Sequence, residues 1–185
     1  EGIYTCSNLD NKIIIKLILK LKKLQKGKGR LVVLGVGGSA ANASHAVNDF
    51  RKLCKIDAYT PVDNVSELTA RTNDEGFETI FDSWMKIFKL NKNDKVLIFS
   101  VGGGNFEKKV SMNLIQAIKY AKKYNSKVLS IVGKKNGYAY KNSDICLHIP
   151  VKNHKNVTPI SEAFQAVIWH LMVSHPLLQK NKTKW

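Results

Sequence analysis

The chain has 185 residues, long enough to bury a sizeable core, and 44% of them are hydrophobic. No apolar run approaches the ~20 residues that a membrane-spanning helix needs. Lysine and arginine outnumber the acids 30 to 14, a formal charge of +16, yet only Arg30, Arg51 and Arg71 are arginines. The lysines are spread along the chain, whereas nucleic-acid binders favour arginine and cluster it, so a nucleic-acid partner is not expected. A field that attracts small anionic substrates is. Cys6, Cys54 and Cys146 are sparse, odd in number and free of any C-x-x-C spacing. This argues for a reducing, cytoplasmic setting and against a disulfide scaffold or a thiolate zinc site.

Strands and helices alternate along the chain. "NKIIIKLILKLKKL" carries lysines at helical spacing and no small-residue cleavage site, so residues 9–25 read as an amphipathic helix rather than a signal peptide. "RLVVLGV" lacks polar alternation, as a strand buried on both faces does. A helix over 39–54 follows, then a short strand, "IDAYTP". Two helical stretches, "VSELTARTND" and "GFETIFDSWMKIFKL", are separated near Gly76. "KVLIFSV" is a third strand and "FEKKVSMNLIQAIKYAKKY" a long helix. "KVLSIVG" and "ICLHIP" are the fourth and fifth strands. "TPISEAFQAVIWHLMVSH" is the last helix, with Thr158 as its cap, Pro159 in its first turn and a core stripe of Phe164, Val167, Ile168 and Leu171. Residues 178–185 read as a loosely held tail. The order predicts an α/β fold of three layers, a parallel five-stranded sheet with helices on both faces, in one domain over 1–185.

Two glycine-rich loops join a buried strand to a helix. Gly35-x-Gly37-x-x-Ala40 fits a dinucleotide fingerprint, but Asp57 precedes its strand instead of following it, so no nucleotide cofactor is expected. The second loop is "FSVGGGNFEKK". Two such loops at the carboxyl ends of neighbouring strands face one crevice, where converging amides and helix N-termini suit a single phosphate. Gly37, Gly38, Ser39, Ser100, Gly102, Gly103, Gly104 and Asn105 are its candidate contacts.

"GVGGSAANASH" resembles the G-x-G-G-S start of the sugar isomerase (SIS) fold, and "NVSELTARTNDEGFETIF" is similar to the Asn-Asp-x-Gly-Phe segment of phosphoheptose isomerases. The resemblance runs from about residue 30 to 175 and holds in order and spacing. It implies a flavodoxin-like parallel sheet, a homotetramer and a sugar-phosphate substrate. The family's reaction converts sedoheptulose 7-phosphate to an aldoheptose 7-phosphate. The family's second loop reads Ser-Thr-Ser-Gly-Asn-Ser; here Ser100-Val101-Gly102-Gly103-Gly104-Asn105 has lost most of its hydroxyls. Val36 stands where the family often has asparagine.

Isomerisation between aldose and ketose needs a base, an acid and something to hold the oxygens. Asn42, His45 and Asp49 share one helix face, with Ala43, Ala46, Val47 and Phe50 on the apolar face beside it. His45 and Asp49, one turn apart, fit two ligands, a base with its orienter, or a solvated ion pair. The family has a histidine and a glutamate four apart on this helix, and a glutamine and a histidine eight apart on the last one. Mapped here, the set is His45, Asp49, Glu162 and His170, with Asp49, Glu162 and His170 as the catalytic group. Two histidines and two carboxylates suit zinc or another divalent ion. The mapping depends on register: aligned by Ser161, Trp169 takes the place of the catalytic histidine, whereas a one-residue shift brings Glu162 and His170 to the two positions. Asp74 is expected to line the pocket or to cap the helix after Gly76. Glu67 reads equally as a sugar contact or a solvated position, His175 as a helix-end residue and Trp169 as packing or a subunit contact. The expected activity is that of a sugar-phosphate isomerase supplying heptose precursors for surface polysaccharide. The alternative is a non-catalytic SIS protein that binds a sugar phosphate as a signal.

Overall fold

The computed structural model describes residues 1–182. Its sheet is parallel throughout, in the order β2-β1-β3-β4-β5. The strands are β1 (Leu31–Leu34), β2 (Ala58–Tyr59), β3 (Lys95–Ser100), β4 (Lys127–Val132) and β5 (Ile145–His148). This is the flavodoxin-like, SIS-type arrangement that the sequence predicts. All four residues of β1 are buried, because helices cover both faces of the sheet. Leu31, Val33, Leu97, Phe99, Leu129 and Ile131 point to one face. There they meet α2 (Asn11–Lys26), α3 (Gly38–Lys52) and α8 (Val157–Ser174). Val32, Leu34, Val96, Ile98 and Val128 point to the other. They meet α5 (Ile80–Ile87), α6 (Met112–Lys123) and α7 (Tyr138–Asn142).

The N-terminal segment is two helices, not one. α1 (Gly2–Asn8) ends at an extended Leu9, and α2 starts afresh because the Asp10 carboxylate accepts the N–H groups of Lys12 and Ile13. A cap of this kind stabilises a helix by about 1 kcal/mol. α1 buries only Thr5, whose hydroxyl donates to the Pro150 carbonyl at 2.8 Å. It lacks the apolar periodicity by which a helix is recognised in a sequence.

α4 (Val65–Glu75) and α5 are divided where expected, at Gly76, whose φ of +89° a side chain rarely adopts. The long helix expected from Phe106 begins only at Met112. Asn105 and Val110 exchange backbone hydrogen bonds, and Lys109 and Ser111 sit at positive φ, so residues 105–110 close on themselves as a turn. α7, a short segment of five residues, carries no apolar periodicity that the sequence reveals.

α8 starts one residue before Thr158, with Asn156 as cap, and Pro159 still falls in the first turn, where its missing N–H costs no hydrogen bond. Its buried stripe is rotated from the expected one. Phe164 and Ile168 are buried, but Val167 and Leu171 are 51% and 49% exposed, and Ser161, Gln165, Trp169, Met172 and Val173 face inward. Polar Ser161 and Gln165 mask this stripe in the sequence. The expected tail is also tied down as far as it is described. Leu178 is buried, its carbonyl accepts from Gln25, and the N–H groups of Lys180 and Asn181 donate to the Leu53 carbonyl. Residues 183–185 lie outside the described residues.

Candidate active site

α3 leaves β1 through Gly35-Val36-Gly37-Gly38 and packs along α8. A side chain at Gly35 would stand 2.1 Å from the Ser39 carbonyl, so the turn requires glycine there. Asn42 ties the helices together: its amide donates to the Glu162 carbonyl at 2.9 Å and to the Gln165 side chain at 3.1 Å. One turn on, this packing brings His45, Asp49 and His170 together, with ligand atoms all within 4.8 Å of one another. The Nε2 atoms of His45 and His170 each lie 3.9 Å from Asp49 Oδ2. Asp49 is buried, and its short partner is the Asn48 side-chain amide at 2.9 Å.

His170 Nδ1 sits 2.8 Å from the Ala166 carbonyl. A carbonyl only accepts, so in the neutral ring Nδ1 carries the hydrogen and Nε2 keeps its lone pair, turned towards Asp49. Trp169 is fully buried beneath the pair, its indole stacked on His170 with centroids 3.5 Å apart and set edge-on to His45 at 4.7 Å. The structure thus puts Trp169 in the core and leaves His170 half-exposed beside Asp49. Along the buried face of α8, Ser161 Oγ, Gln165 Nε2 and Trp169 Nε1 have no hydrogen-bond partner. Their i, i+4, i+8 spacing is the signal that a reading centred on charged residues passes over.

Glu162 does not join the histidines. Its carboxylate lies against Gly38, so close that a Cβ there would stand 2.5 Å from Oε2. The side chain projects from a different turn of α8, two turns before His170, and reaches the start of α3 instead. A negative charge at a helix N-terminus is favourable, so Glu162 occupies the end of α3 that the sequence offers to a ligand's phosphate. Ser39 is buried behind it, Gly37 takes φ +63° at the cap, and Gly37 and Gly38 are exposed.

The second loop is largely satisfied by itself. Ser100 Oγ accepts the Gly103 N–H at 2.9 Å, and the Asn105 N–H donates to Val110. Gly103 and Gly104 take φ of +72° and +82°, turning their carbonyls to accept from Ala139 and Tyr138. Of the expected phosphate donors here, two amides therefore face inward. Gly102 has open space where a side chain would stand. Asp74 is exposed on α4 beside Asn73 and caps nothing; Glu67 pairs with Arg71 at 2.8 Å. His175 is the residue that ends α8. A cleft of about 280 Å³ opens beside the first loop, between Gly35, Gly37 and Ser44 on one side and Leu68 and Phe77 on the other.

No family model matches the chain. A phosphoheptose isomerase of Campylobacter jejuni is 31% identical over 163 residues, which are 84% of this chain and 77% of that protein. The chain belongs to the phosphoheptose isomerase family. The lincomycin biosynthesis protein LmbN of Streptomyces lincolnensis is 30% identical over 154 residues, 80% of this chain, but the chain spans only 56% of LmbN. Among solved structures, a phosphoheptose isomerase from Francisella tularensis superimposes with a TM-score of 0.78 over 93% of this chain and 88% of its own, at 22% identity. That likeness concerns the fold.

Two imidazoles and a buried carboxylate, with both Nε2 atoms 3.9 Å from Oδ2, are a donor set that fits a divalent cation with one position open. Zinc titrated into the metal-free protein should bind with one equivalent, and His45→Ala should weaken it at least about tenfold in calorimetry. Equal affinity in the variant would remove the cluster as the metal site.

Proposed function

We propose that the protein is an aldose–ketose isomerase acting on a sugar phosphate, with sedoheptulose 7-phosphate as substrate, as its relatives' name suggests. The observation that carries this is the His45–Asp49–His170 cluster, two imidazoles and a buried carboxylate brought together by α3 and α8 in a member of this family. Residues 1–185 are read as one SIS domain. The single free lone pair of His170 cannot both bind a cation and accept a proton, so His45 and Asp49 would hold a divalent ion, zinc by its donor set, beside His170; when bound, it would polarise the sugar's carbonyl and hydroxyl oxygens.

The chain's own residues divide the remaining work. His170 Nε2 takes the proton from one carbon and returns it to the next, since its Nδ1 is committed to Ala166. Asp49, its carboxylate 3.9 Å from both Nε2 atoms, stabilises the imidazolium that forms when His170 takes the proton. Trp169 fixes the His170 plane from below, and Asn42 holds α3 against α8. Glu162, beside Gly38, faces the substrate end of the first loop and acts there instead of on the metal. The phosphate contacts are Gly37, Gly38 and Ser39, with Ser100, Gly102, Gly103, Gly104 and Asn105 after the second loop rearranges; Asp74 closes the α4 side.

The inward-turned second loop favours a second reading, a SIS protein that binds a sugar phosphate as a signal without turning it over. The setting is proposed as cytoplasmic: Cys54 and Cys146 are free thiols that burial pushes up to about 12, in keeping with a reducing compartment. Among the described residues, no helix is long and apolar enough to cross a membrane.

A homotetramer is proposed from unpartnered apolar faces. Ile15 and Leu19 on α2 are 41% and 52% exposed, and Val167 and Leu171 flank His170 on α8. Sedimentation should show a tetramer; a monomer at micromolar concentration would refute the assembly. His170→Ala should lower turnover of sedoheptulose 7-phosphate by about 10²-fold or more, as for a lost general base, while sugar-phosphate affinity stays near wild type. Undiminished turnover would remove His170 from the chemistry.

A further inference from the structure

The rule that opens a crevice beside β1 applies a second time. A crevice forms at the carboxyl ends of neighbouring strands whose following helices go to opposite faces of the sheet. After β4 the chain passes to α7, which packs with α6. After β5 it passes to α8, which packs with α2 and α3 on the other face. Between the two exits lies a cleft of about 560 Å³. That is within the range of small-molecule sites, ~300–1,000 Å³.

The cleft is lined by Lys134, Lys135 and Asn136 from the loop after β4, His148 at the end of β5 and His154 from the turn before α8, over a backbone floor at Gly133. No aspartate or glutamate lines it. Gly133 is fixed: its N–H donates to the carbonyls of Ser100 and Val101, and a Cβ on it would stand 2.0 Å from Ser161 Oγ. Ser161 is fully buried, and its hydroxyl has no hydrogen-bond partner. The floor therefore stays bare and close to an unused polar group. Burial and the charge of Lys135 hold the His148 imidazole below its ordinary value, against the opposing pull of the Gly133 backbone. An anion seated among these groups would offset the repulsion and favour the charged imidazole.

We propose that this cleft is a second anion site, separate from the one at the His45–Asp49–His170 cluster, and that it binds the phosphate of a small phosphate monoester through Lys134, Lys135, Asn136, His148 and His154. The cleft shares no residue with that cluster or with either glycine-rich loop. The proposal does not depend on whether the protein turns over a sugar. Lysines suit it as flexible point charges on a phosphate, and Asn136 with the histidines adds directional donors.

The test uses the full chain, titrated with inorganic phosphate and with methyl phosphate and followed by calorimetry and by the ring resonances of the histidines. Both probes should shift His148 and His154 and raise the pH at which His148 titrates. Lys134→Gln with Lys135→Gln should weaken binding at least about tenfold, or about 1.4 kcal/mol. His148→Asn should reduce the pH dependence of binding to the part that His154 and the phosphate's own ionisation supply. Circular dichroism and sedimentation unchanged from wild type establish that the variants are folded. Wild-type affinity in both variants would overturn the site, as would probes that move only residues around Gly38 and His45. A single-stranded oligonucleotide that binds in place of both small probes would overturn it as well.

Discussion

Everything proposed for the catalytic centre depends on how α3 lies against α8. Neither helix carries the cluster alone: His45 and Asp49 come from the first, His170 from the second. The contact is built from small and flat groups. Ala43 and Ala46 are fully buried on α3, Trp169 presents its face to one imidazole and its edge to the other, and the Asn42 amide spans to α8 at two points. Close packing of this kind transmits small displacements, so a change in Trp169 or Asn42 should reach the histidines without touching them.

The same packing leaves the histidine cluster and the glycine-rich loops in unequal states. Around Asp49, a buried carboxylate and two imidazole nitrogens stand 3.9 Å apart without hydrogen bonds between them, an arrangement that leaves room for a cation. At the glycine-rich loops the reverse holds. Glu162 already supplies the negative charge that the α3 terminus attracts, and Ser100 and Val110 already accept the amides that a phosphate would use. Binding a sugar phosphate there requires Glu162 to yield or the second loop to open. The positive φ values of Gly103, Gly104 and Ser111 mark where that loop is held in its present form.

Much of this was legible in the sequence. The unbroken apolar runs of β1, β3 and β4 announce a sheet covered on both faces, and the two glycine-rich loops announce where its active edge lies. His45 and Asp49 were visible because i, i+4 spacing is local. What lay beyond reach was set by tertiary contact. The inward stripe of α8 uses Ser161 and Gln165, residues that pattern reading assigns to solvent, and the same reading puts Val167 and Leu171 inside. The turn at 105–110 rests on a backbone pair, Asn105 with Val110, that no side-chain pattern signals. Glu162 has the spacing of a ligand in the family's helix but reaches the α3 terminus, because nothing in a linear spacing says which of two neighbours a carboxylate will meet.

The central claim, that this site moves a proton between adjacent sugar carbons, is tested most directly by solvent exchange. The wild-type protein, loaded with zinc, is incubated with sedoheptulose 7-phosphate in deuterium oxide and the sugar followed by proton NMR. The account predicts loss of a C1 proton signal of the ketose, with deuterium appearing at C2 of an aldoheptose phosphate, at a rate that falls in step with His170 substitution. Saturable binding of the sugar phosphate with no deuterium entering any carbon would contradict it and leave the signal-binding reading in its place.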